Sequence, residues 1–377
     1  ALKESSYKYQ TAYWLQEVGR TLNSFKLVGS NRLPILRADK LIQKYVEFRS
    51  KHFGVLIFQY KVMIAFKVLI VTSLLLAGSL LLINDQISIG QFVAAEVIIV
   101  LVVNSVEKLI LSLETVYDTL VSVEKLGHVM DLDLEHQEPS EKIIQSQPEG
   151  LKFSMEGVVF QPQDALEPIL RGVDLEVLPG KKVVLTGPSG SGKSALMALF
   201  AGLYEQYEGK VKVNDLSLEL INLDKFRAQV GDFLELQQIF HGTIKENILM
   251  GRDYDESQLS YILSLVGLNE YVYQWPMGLE TMLQPEGKGL SKSIEQRIVL
   301  ERGLVGQPKA LIMENMMDYL EPEIKDKIVN YVMKGNWTLL LASDQDNVLK
   351  LADLILVMDR GQVVYYGDFE GYKKFKA

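Results

Sequence analysis

The sequence has 377 residues, of which 48% are hydrophobic, and its formal net charge is −9 at pH 7. This length is enough for two domains with separate cores, and the acidic balance excludes a general electrostatic attraction to nucleic acid, so no nucleic-acid partner is expected. Because there is no cysteine, disulfides, thiol nucleophiles and thiolate metal sites are excluded, and the four scattered histidines lack the spacing of a metal site.

The N-terminal part of the chain is polar and amphipathic. Residues 1–6 contain neither an initiator methionine nor a basic-then-apolar signal segment, so we expect the chain to be part of a longer protein. Residues 7–52 predict mostly helical structure, with an irregularity around residues 29–34.

Two long apolar runs follow, at residues 53–83 and about 91–113. A membrane-spanning helix needs about 20 mostly apolar residues, and both runs meet that length. The polar turn at residues 84–86 predicts that the two spans form an antiparallel hairpin. Charged or polar residues inside the runs are expected to face other helices or a water-filled path; they are Lys61, Lys67, Glu96, Asn104, Glu107 and Lys108.

The charges that flank the spans predict their orientation. Eight lysines and arginines lie between residues 20 and 51, whereas the turn has none. Cationic flanks stay on the cytoplasmic side, so both ends of the hairpin are expected in the cytoplasm and the turn outside. The alternative, two apolar core helices of a soluble protein, is disfavoured by the length of the runs and by this charge asymmetry.

Beyond the spans, residues 114–130 are predicted to continue the second helix. Residues 131–150 are acidic and polar with two prolines, which is typical of a linker. From residue 151 onward, short β-rich runs alternate with helical segments and predict an α/β domain.

A phosphate-binding motif lies in this second domain. Residues 182–186 predict a buried strand, residues 187–194 read GPSGSGKS, and a helix is predicted from residue 195. In GxxxxGK[ST] between a strand and a helix, backbone N–H groups converge on phosphate oxygens, the lysine reaches the β- and γ-phosphates and the serine hydroxyl ligates Mg²⁺. The alternative, a chance glycine turn, is disfavoured by this context. The predicted nucleotide-binding residues are Gly187, Pro188, Ser189, Gly190, Ser191, Gly192, Lys193, Ser194 and Ala195.

Four further segments, at residues 240–248, 290–294, 310–315 and 353–367, resemble motifs of the ABC exporters. The chain as a whole resembles the C-terminal part of such an exporter subunit. This resemblance implies a membrane α-helical segment followed by an α/β P-loop NTPase domain of ABC type with a helical subdomain. Its domains would be a partial transmembrane domain at 1–130, a linker at 131–150 and a nucleotide-binding domain at 151–377. A coupling helix around Ser5 to Trp14 would dock on a partner's nucleotide domain.

Several positions of the nucleotide domain depart from the family pattern. The adenine-stacking aromatic falls at Pro162, and the Q-loop glutamine at Glu235. The Walker B aspartate becomes Glu314, the catalytic glutamate Asn315, and the switch histidine Ser343. An amide cannot accept a proton, so general-base activation of water is expected to be lost. Ser194, Glu314 and Glu235 remain the candidate Mg²⁺ contacts.

The signature segment is also altered. It reads Leu290, Ser291, Lys292, Ser293 and Ile294, so both signature glycines are replaced. Side chains there are expected to obstruct the close backbone approach to a γ-phosphate that glycine permits. The D-loop aspartate position carries Glu321. Misalignment of these motifs is the alternative, and the regular spacing from Leu290 to Asn315 disfavours it.

Two hypotheses for function follow. In the first, the chain binds ATP and Mg²⁺ as a subunit of an exporter with an inactive hydrolytic site, and works with a second half-transporter. A heterodimer is favoured because a homodimer would have two poor sites. In the second, the chain is a nucleotide-binding membrane scaffold or regulatory subunit. A soluble ABC protein acting on DNA or ribosomes is opposed by the membrane hairpin.

The kind of cargo and the kind of membrane in which the chain works are predicted only by a narrower resemblance. Residues 15–26 and 87–91 resemble bacterial exporters that secrete peptides and proteins. The expected location is therefore the bacterial plasma membrane, with the lipid bilayer around the spans and the nucleotide domain in the cytoplasm. Whether any ATP turnover remains is left open by the sequence.

Overall fold

The computed structural model describes residues 2–29, 32–132, 134–135, 149–234, 237–314 and 317–376, without the side chains of residues 110, 111, 113 and 114. The chain divides into two compact units, Ala1–Asp133 and Leu134–Ala377. Each unit is described separately below.

The first unit consists of helices. They are α1 (Leu2–Arg20), α2 (Leu22–Leu27), α3 (Leu33–Ile83) and α4 (Ile89–Met130).

Helix α1 packs along the first part of α3. The rings of Tyr7 and Phe48 stack with centroids 5.5 Å apart, and Trp14 Nε1 donates to the carbonyl oxygen of Pro34 at 3.0 Å. Residues 5–14, which the resemblance assigns to a coupling helix, lie within this 19-residue helix. The short helix of this region is α2, between the ends of α1 and α3.

Helices α3 and α4 contain both apolar runs. Each is long and apolar enough to cross a membrane, over Leu33–Ile83 and Ile89–Leu109. Only 6% of the most apolar stretch of either helix is buried within the structure. The core helices of a soluble protein would be mostly buried, so this exposed apolar surface suits contact with lipid.

Specific contacts define the hairpin between α3 and α4. Ser88 forms a capping box with Gln91, which fixes the start of α4. Lys67 Nζ lies 3.1 Å from a carboxylate oxygen of Glu107, so two of the charged residues in the spans neutralise each other between helices. A Cβ on Gly78 would lie 2.3 Å from the ring of Phe92, so only glycine allows this close packing.

The second unit contains two larger sheets and a two-stranded one. Its strands are β1 (Phe153–Phe160), β2 (Leu170–Val177), β3 (Lys182–Thr186), β4 (Glu208–Val213), β5 (Leu216–Ser217), β6 (Val230–Phe233), β7 (Gly242–Thr243), β8 (Met282–Leu283), β9 (Ala310–Met313), β10 (Thr338–Ala342), β11 (Leu354–Asp359) and β12 (Gln362–Gly367). Its helices are α5 (Lys193–Phe200), α6 (Leu223–Arg227), α7 (Ile244–Leu249), α8 (Glu256–Leu265), α9 (Asn269–Gln274), α10 (Lys292–Leu304), α11 (Pro322–Lys334), α12 (Asp346–Leu349) and α13 (Phe369–Lys376), with 3₁₀ turns at Leu218–Leu220, Gly278–Glu280 and Pro285–Gly287.

The six-stranded sheet has the order β12-β11-β3-β10-β9-β6 and is parallel except for β12. The four-stranded sheet, β2-β1-β4-β5, is antiparallel. Strands β3 and β10 are buried at every residue, as expected for the centre of a parallel sheet covered on both faces. This architecture confirms the predicted α/β domain.

Two hydrophobic cores hold this unit together. One lies between the sheets and around α5, where Phe153 and Phe200 meet edge to face with centroids 5.1 Å apart. The other joins helices α7–α11 to the six-stranded sheet through buried residues such as Val266, Ile298 and Ile328. The helices that this second core joins correspond to the helical subdomain that the resemblance implies.

The start of β10 is tied to the point where the chain enters the unit. Thr338 Oγ1 donates to the carbonyl oxygen of Leu151 at 2.6 Å and accepts from the backbone N–H of Gly180 at 3.0 Å. A Cβ on Gly150 would lie 2.6 Å from the backbone nitrogen of Thr338. Residues 150 and 151 are thus packed directly against the first residue of β10.

Candidate nucleotide-binding site

The phosphate loop connects β3 to α5 and depends on glycine backbone geometry. Gly187 has φ +135°, and a Cβ there would lie 2.1 Å from the carbonyl oxygen of Met358. Gly192 has φ +100° and caps the N-terminus of α5. Both backbone angles lie in the region that favours glycine. The loop therefore turns sharply from a buried strand into a helix whose first N–H groups face the loop.

Lys193 is the first residue of α5, and its side chain folds back over the loop. Its Nζ donates to the carbonyl oxygens of Gly187 at 2.6 Å and Pro188 at 3.0 Å, and to Ser191 Oγ at 3.3 Å. The ammonium thus lies at the mouth of the loop, where a P-loop lysine contacts the β- and γ-phosphates.

A cleft with a volume of about 540 Å³ opens in front of this loop. Most of the predicted phosphate-loop residues line it, together with Glu314 and Ser343 from the ends of two other strands. Pro162 is not among the lining residues, whereas Ile169, which the sequence analysis did not select, is. Glu235 and Asn315 lie outside the described residues. The lining residues are Ile169, Gly187, Ser189, Gly190, Ser191, Gly192, Lys193, Ser194, Ala195, Glu314, Ala342, Ser343 and Asp344.

Backbone hydrogen bonds fix the strand ends beside the loop. The N–H of Glu314, directly after β9, donates to the carbonyl oxygen of Phe233 at 3.0 Å. The N–H of Ser343, directly after β10, donates to the carbonyl oxygen of Leu185 at 3.0 Å. Because parallel strands end at the same edge of the sheet, their following residues meet at the cleft.

Asp344 is a residue of the cleft that sequence reasoning missed. Its Oδ1 accepts a hydrogen bond of 2.5 Å from Thr186 Oγ1, at the end of β3. An acidic side chain two residues after a buried strand was the available signal. The partner is 158 positions away in the sequence, so the contact itself was not visible there.

The signature segment lies at the start of α10. Ser291 Oγ accepts from the N–H of Ile294 at 3.3 Å and caps the helix. Lys292 is exposed and pairs with Glu295 at 2.6 Å. Ser293 Oγ accepts from Arg297 Nε at 3.3 Å, so this hydroxyl is directed along its own helix. The ammonium of Lys292 is therefore the charged group that this segment presents at the surface.

Glu321, assigned to the D-loop position, contacts α10, the helix that begins in the signature segment. Glu321 forms an ion pair with Arg297, which is buried on α10 and also donates to the carbonyl oxygen of Val266. Arg297 is buried whereas the side chain of Glu321 is 56% exposed, so this ion pair links Glu321 to α10 at the surface.

Comparisons with known proteins agree with this geometry. Residues 170–317 match the family described as ABC transporter. The fold matches the solved structure of a bacterial Atm1-family ABC exporter with ATP bound, with a TM-score of 0.87, 20% sequence identity, and coverage of 100% of this chain and 66% of that chain.

Curated relatives include the ABC multidrug transporter mdr1 of Aspergillus fumigatus, 32% identical over 234 residues, which are 58% of this chain and 17% of the relative. The ABC-type transmembrane transporter verA of Clonostachys rogersoniana is 28% identical over 226 residues, which are 58% of this chain and 18% of the relative. The chain thus spans less than a fifth of the length of these relatives.

A phosphate loop between β3 and α5, strand-end residues converging on it, a helical subdomain and the family match together define an ATP-binding domain of the ABC type. Residues 170–317 match the ABC transporter family, and the chain has the fold of an ABC exporter subunit, with apolar helices followed by an α/β nucleotide-binding domain. This fold and the two long apolar helices support a location in a membrane.

Proposed function

We propose that this chain is the ATP-binding subunit of an exporter whose own site holds ATP with Mg²⁺ without hydrolysing it. The observation that carries the proposal is the cleft itself, which is lined by Lys193 and Ser194 at the loop and by Ser343, the residue that the resemblance assigns to the family's switch-histidine position. Ser194 and Glu314 would hold the Mg²⁺, since a hydroxyl and a carboxylate are oxygen ligands that this ion accepts. Glu235 is a further proposed contact.

The proposed loss of hydrolysis rests on proton chemistry. Water attack on the γ-phosphate needs a positioned base or orienting group, and its loss typically lowers the rate by about 10²–10⁴. Ser343 Oγ accepts a long hydrogen bond of 3.3 Å from the N–H of Gln345, and a serine has no titratable nitrogen. Asn315, assigned from the sequence to the catalytic position, carries an amide that cannot accept a proton.

The proposed assembly is a heterodimer with a second half-transporter. Two copies of this chain would place Lys292 and Ser293 opposite both ATP sites, whereas a partner with intact motifs would supply a normal signature segment. We also propose a peptide or protein as cargo and the bacterial plasma membrane as location. The multidrug transporters among the relatives represent the competing cargo class, and a transport assay with a labelled peptide and a hydrophobic drug separates the two.

The direct test is ATP binding and phosphate release by the purified chain in lipid nanodiscs. We expect ATP to bind, and Lys193→Ala to lower the affinity about a hundredfold because the charge-assisted contacts to phosphate are lost. We expect phosphate release no higher from the wild-type chain than from that variant. Release that Lys193→Ala abolishes would contradict an inactive site.

The same assay weighs the alternative function. Absence of ATP binding by the folded chain would overturn the proposed site. ATP binding with no transport in the presence of any second half-transporter would favour a nucleotide-binding scaffold or regulatory subunit.

The orientation of the membrane hairpin has its own test. Since the chain contains no cysteine, Asn84→Cys creates a single thiol in the turn between α3 and α4. A membrane-impermeant maleimide is expected to label it on intact cells, because the cationic flanks hold the other ends of the helices in the cytoplasm. Ser24→Cys on α2 is the matched control and should react only after permeabilisation. The reverse pattern would contradict the proposed orientation.

A further inference from the structure

We propose that Asp344 makes the phosphate cleft select the metal-bound form of a nucleoside triphosphate, and that without a divalent cation the cleft takes the diphosphate in preference to the triphosphate. This inference rests on the proposed binding of ATP at the cleft. It assigns a role in nucleotide discrimination to Asp344 and to Thr186, which positions it.

Asp344 is positioned by a hydrogen bond to its carboxylate and by the backbone pairing of the preceding residue. Strands β3 and β10 are adjacent and parallel, with Leu185 opposite Ala342, and the following N–H of Ser343 donates to Leu185. Thr186 Oγ1 then donates to Asp344 Oδ1 at 2.5 Å from a side chain that is only 6% exposed. A buried donor on the central strand thus fixes an anion at the edge of the cleft.

The position of Asp344 places it toward the outer end of a bound nucleotide. The N–H groups of a P-loop enclose the inner phosphates, and its lysine reaches the β- and γ-phosphates. In parallel α/β sheets the ligand lies outside the carboxyl ends of the strands. Asp344 lies after the carboxyl end of β10 and lines the cleft beside the strand that leads into the loop, so a γ-phosphate bound there would lie on the side of its carboxylate.

The charges around the cleft determine how Asp344 would affect a bound nucleotide. Among the described lining residues, Lys193 supplies positive charge while Glu314 and Asp344 carry carboxylates. Like charges within about 4–6 Å disfavour each other. A γ-phosphate brought to the cleft without a counterion therefore meets a fixed negative charge, which the diphosphate, lacking that group, largely avoids.

A divalent cation would turn the repulsion between the carboxylate of Asp344 and the γ-phosphate into an attraction. Mg²⁺ is typically bound through one or two carboxylates together with substrate phosphates, and a bound cation is often the largest local charge in a site. With Mg²⁺ between the γ-phosphate and the carboxylate, Asp344 attracts the complex instead of repelling the free nucleotide.

The test measures binding of radiolabelled ATP and ADP to the full chain in nanodiscs, with Mg²⁺ or with EDTA. For the wild-type chain we expect Mg²⁺ to tighten ATP binding by about thirtyfold or more, and ADP binding by only a few fold. Asp344→Asn should tighten metal-free ATP about tenfold and change metal-free ADP less than about threefold.

Two further variants make the result specific. Thr186→Val keeps the shape of the buried side chain but removes the donor, so it should shift the ATP-to-ADP ratio in the same direction as Asp344→Asn by a smaller factor. Asp346→Asn removes an exposed charge two positions away, outside the cleft, and should leave the ratio unchanged. A structural role for Asp344 alone would alter both nucleotides equally.

The outcomes separate this inference from the proposed function. An unchanged ATP-to-ADP ratio in folded Asp344→Asn, with ATP still bound, overturns the role of Asp344 and leaves ATP binding intact. Failure of the folded wild-type chain to bind either nucleotide overturns both. Should Asp344→Asn fail to fold, as judged by its melting profile, an unchanged ratio in Thr186→Val overturns the inference.

Discussion

Replacing Glu301 by leucine is expected to raise the free energy of unfolding at pH 7 by roughly 3 kcal/mol. The reason is that the carboxyl of Glu301 is ionised in the unfolded chain at this pH and must be protonated when the chain folds, which costs free energy that leucine does not. Glu301 lies on α10 and is 0% exposed. Within the described part of the chain, neither of its carboxylate oxygens has a hydrogen-bond partner. Burial raises the pKa of this carboxyl to about 9, from an ordinary value of 4.5.

The direction of the pH dependence follows from these two pKa values. Below pH 4.5 the carboxyl is protonated in both states, so Glu301 adds no ionisation penalty. As the pH rises toward 9, the unfolded chain loses this proton while the folded chain keeps it, and the folded state loses about 1.4 kcal/mol of relative stability per pH unit. Above the folded pKa the penalty is complete.

Urea unfolding of the full chain at pH 5 and pH 8, followed by tryptophan fluorescence, checks this prediction. The benefit of Glu301→Leu should be several times larger at pH 8 than at pH 5. Glu323→Leu, at an exposed position of α11, is the control and should change stability by less than about 0.5 kcal/mol. An equal benefit at both pH values, or a loss at pH 8, would show that Glu301 is not a buried neutral acid.

The second large effect is expected at Gly187. Gly187→Ala should destabilise the nucleotide-binding domain by about 2–4 kcal/mol and lower ATP affinity by more than about a hundredfold, because backbone overlap forces the phosphate loop to move. The added Cβ would lie 2.1 Å from the carbonyl oxygen of Met358, and φ at this position is +135°. The backbone carbonyl of Met358 lies within β11 and cannot rotate away as a flexible side chain could.

Gly190→Ala is the matched control in the same loop. Gly190 also has a positive φ, +78°, but nothing lies within 4 Å of its Cβ position. The expected cost is therefore only conformational, about 1–2 kcal/mol. Equilibrium unfolding and ATP binding of both variants give the comparison. Similar losses for the two substitutions would mean that the contact with Met358 does not constrain the loop.

The features that could be predicted from the sequence are those encoded locally. The order of strand, glycine-rich loop and helix around Lys193 is contiguous in the chain, and its chemistry depends on backbone geometry. The second span was expected from about residue 91 and begins at Ile89, since the capping box at Ser88 and Gln91 defines its start. Periodicity and capping are short-range signals.

Features that depend on tertiary packing were not predicted. The polar first part of α3 lies within the helical structure predicted for residues 7–52, but its packing against α1, as in the Tyr7–Phe48 stack, was not predicted. The Thr186–Asp344 contact needs β3 and β10 to be neighbours in the sheet. The burial of Glu301 depends on helices that pack around α10 from elsewhere in the chain.

Some site residues were assigned only by analogy with the family, and the outcome differs among them. Pro162 was assigned to the adenine, whereas the described cleft is lined by Ile169 from the end of the same loop. The assignments of Glu235 and Asn315 lie outside the described residues and stay predictions. The residues assigned to the signature lie at the start of α10, where Ser293 accepts a hydrogen bond from Arg297, a contact that motif matching does not reveal.

Strand β10 connects the point where the chain enters the domain to the phosphate cleft. Its first residue, Thr338, is bonded to Leu151, where the chain enters the domain, and the strand leads directly to Ser343 and Asp344 at the cleft. The five residues span about 13 Å of extended backbone, clamped on both sides by parallel neighbours. Tension on the chain at Leu151 would therefore be transmitted along β10 to Ser343 and Asp344 at the cleft.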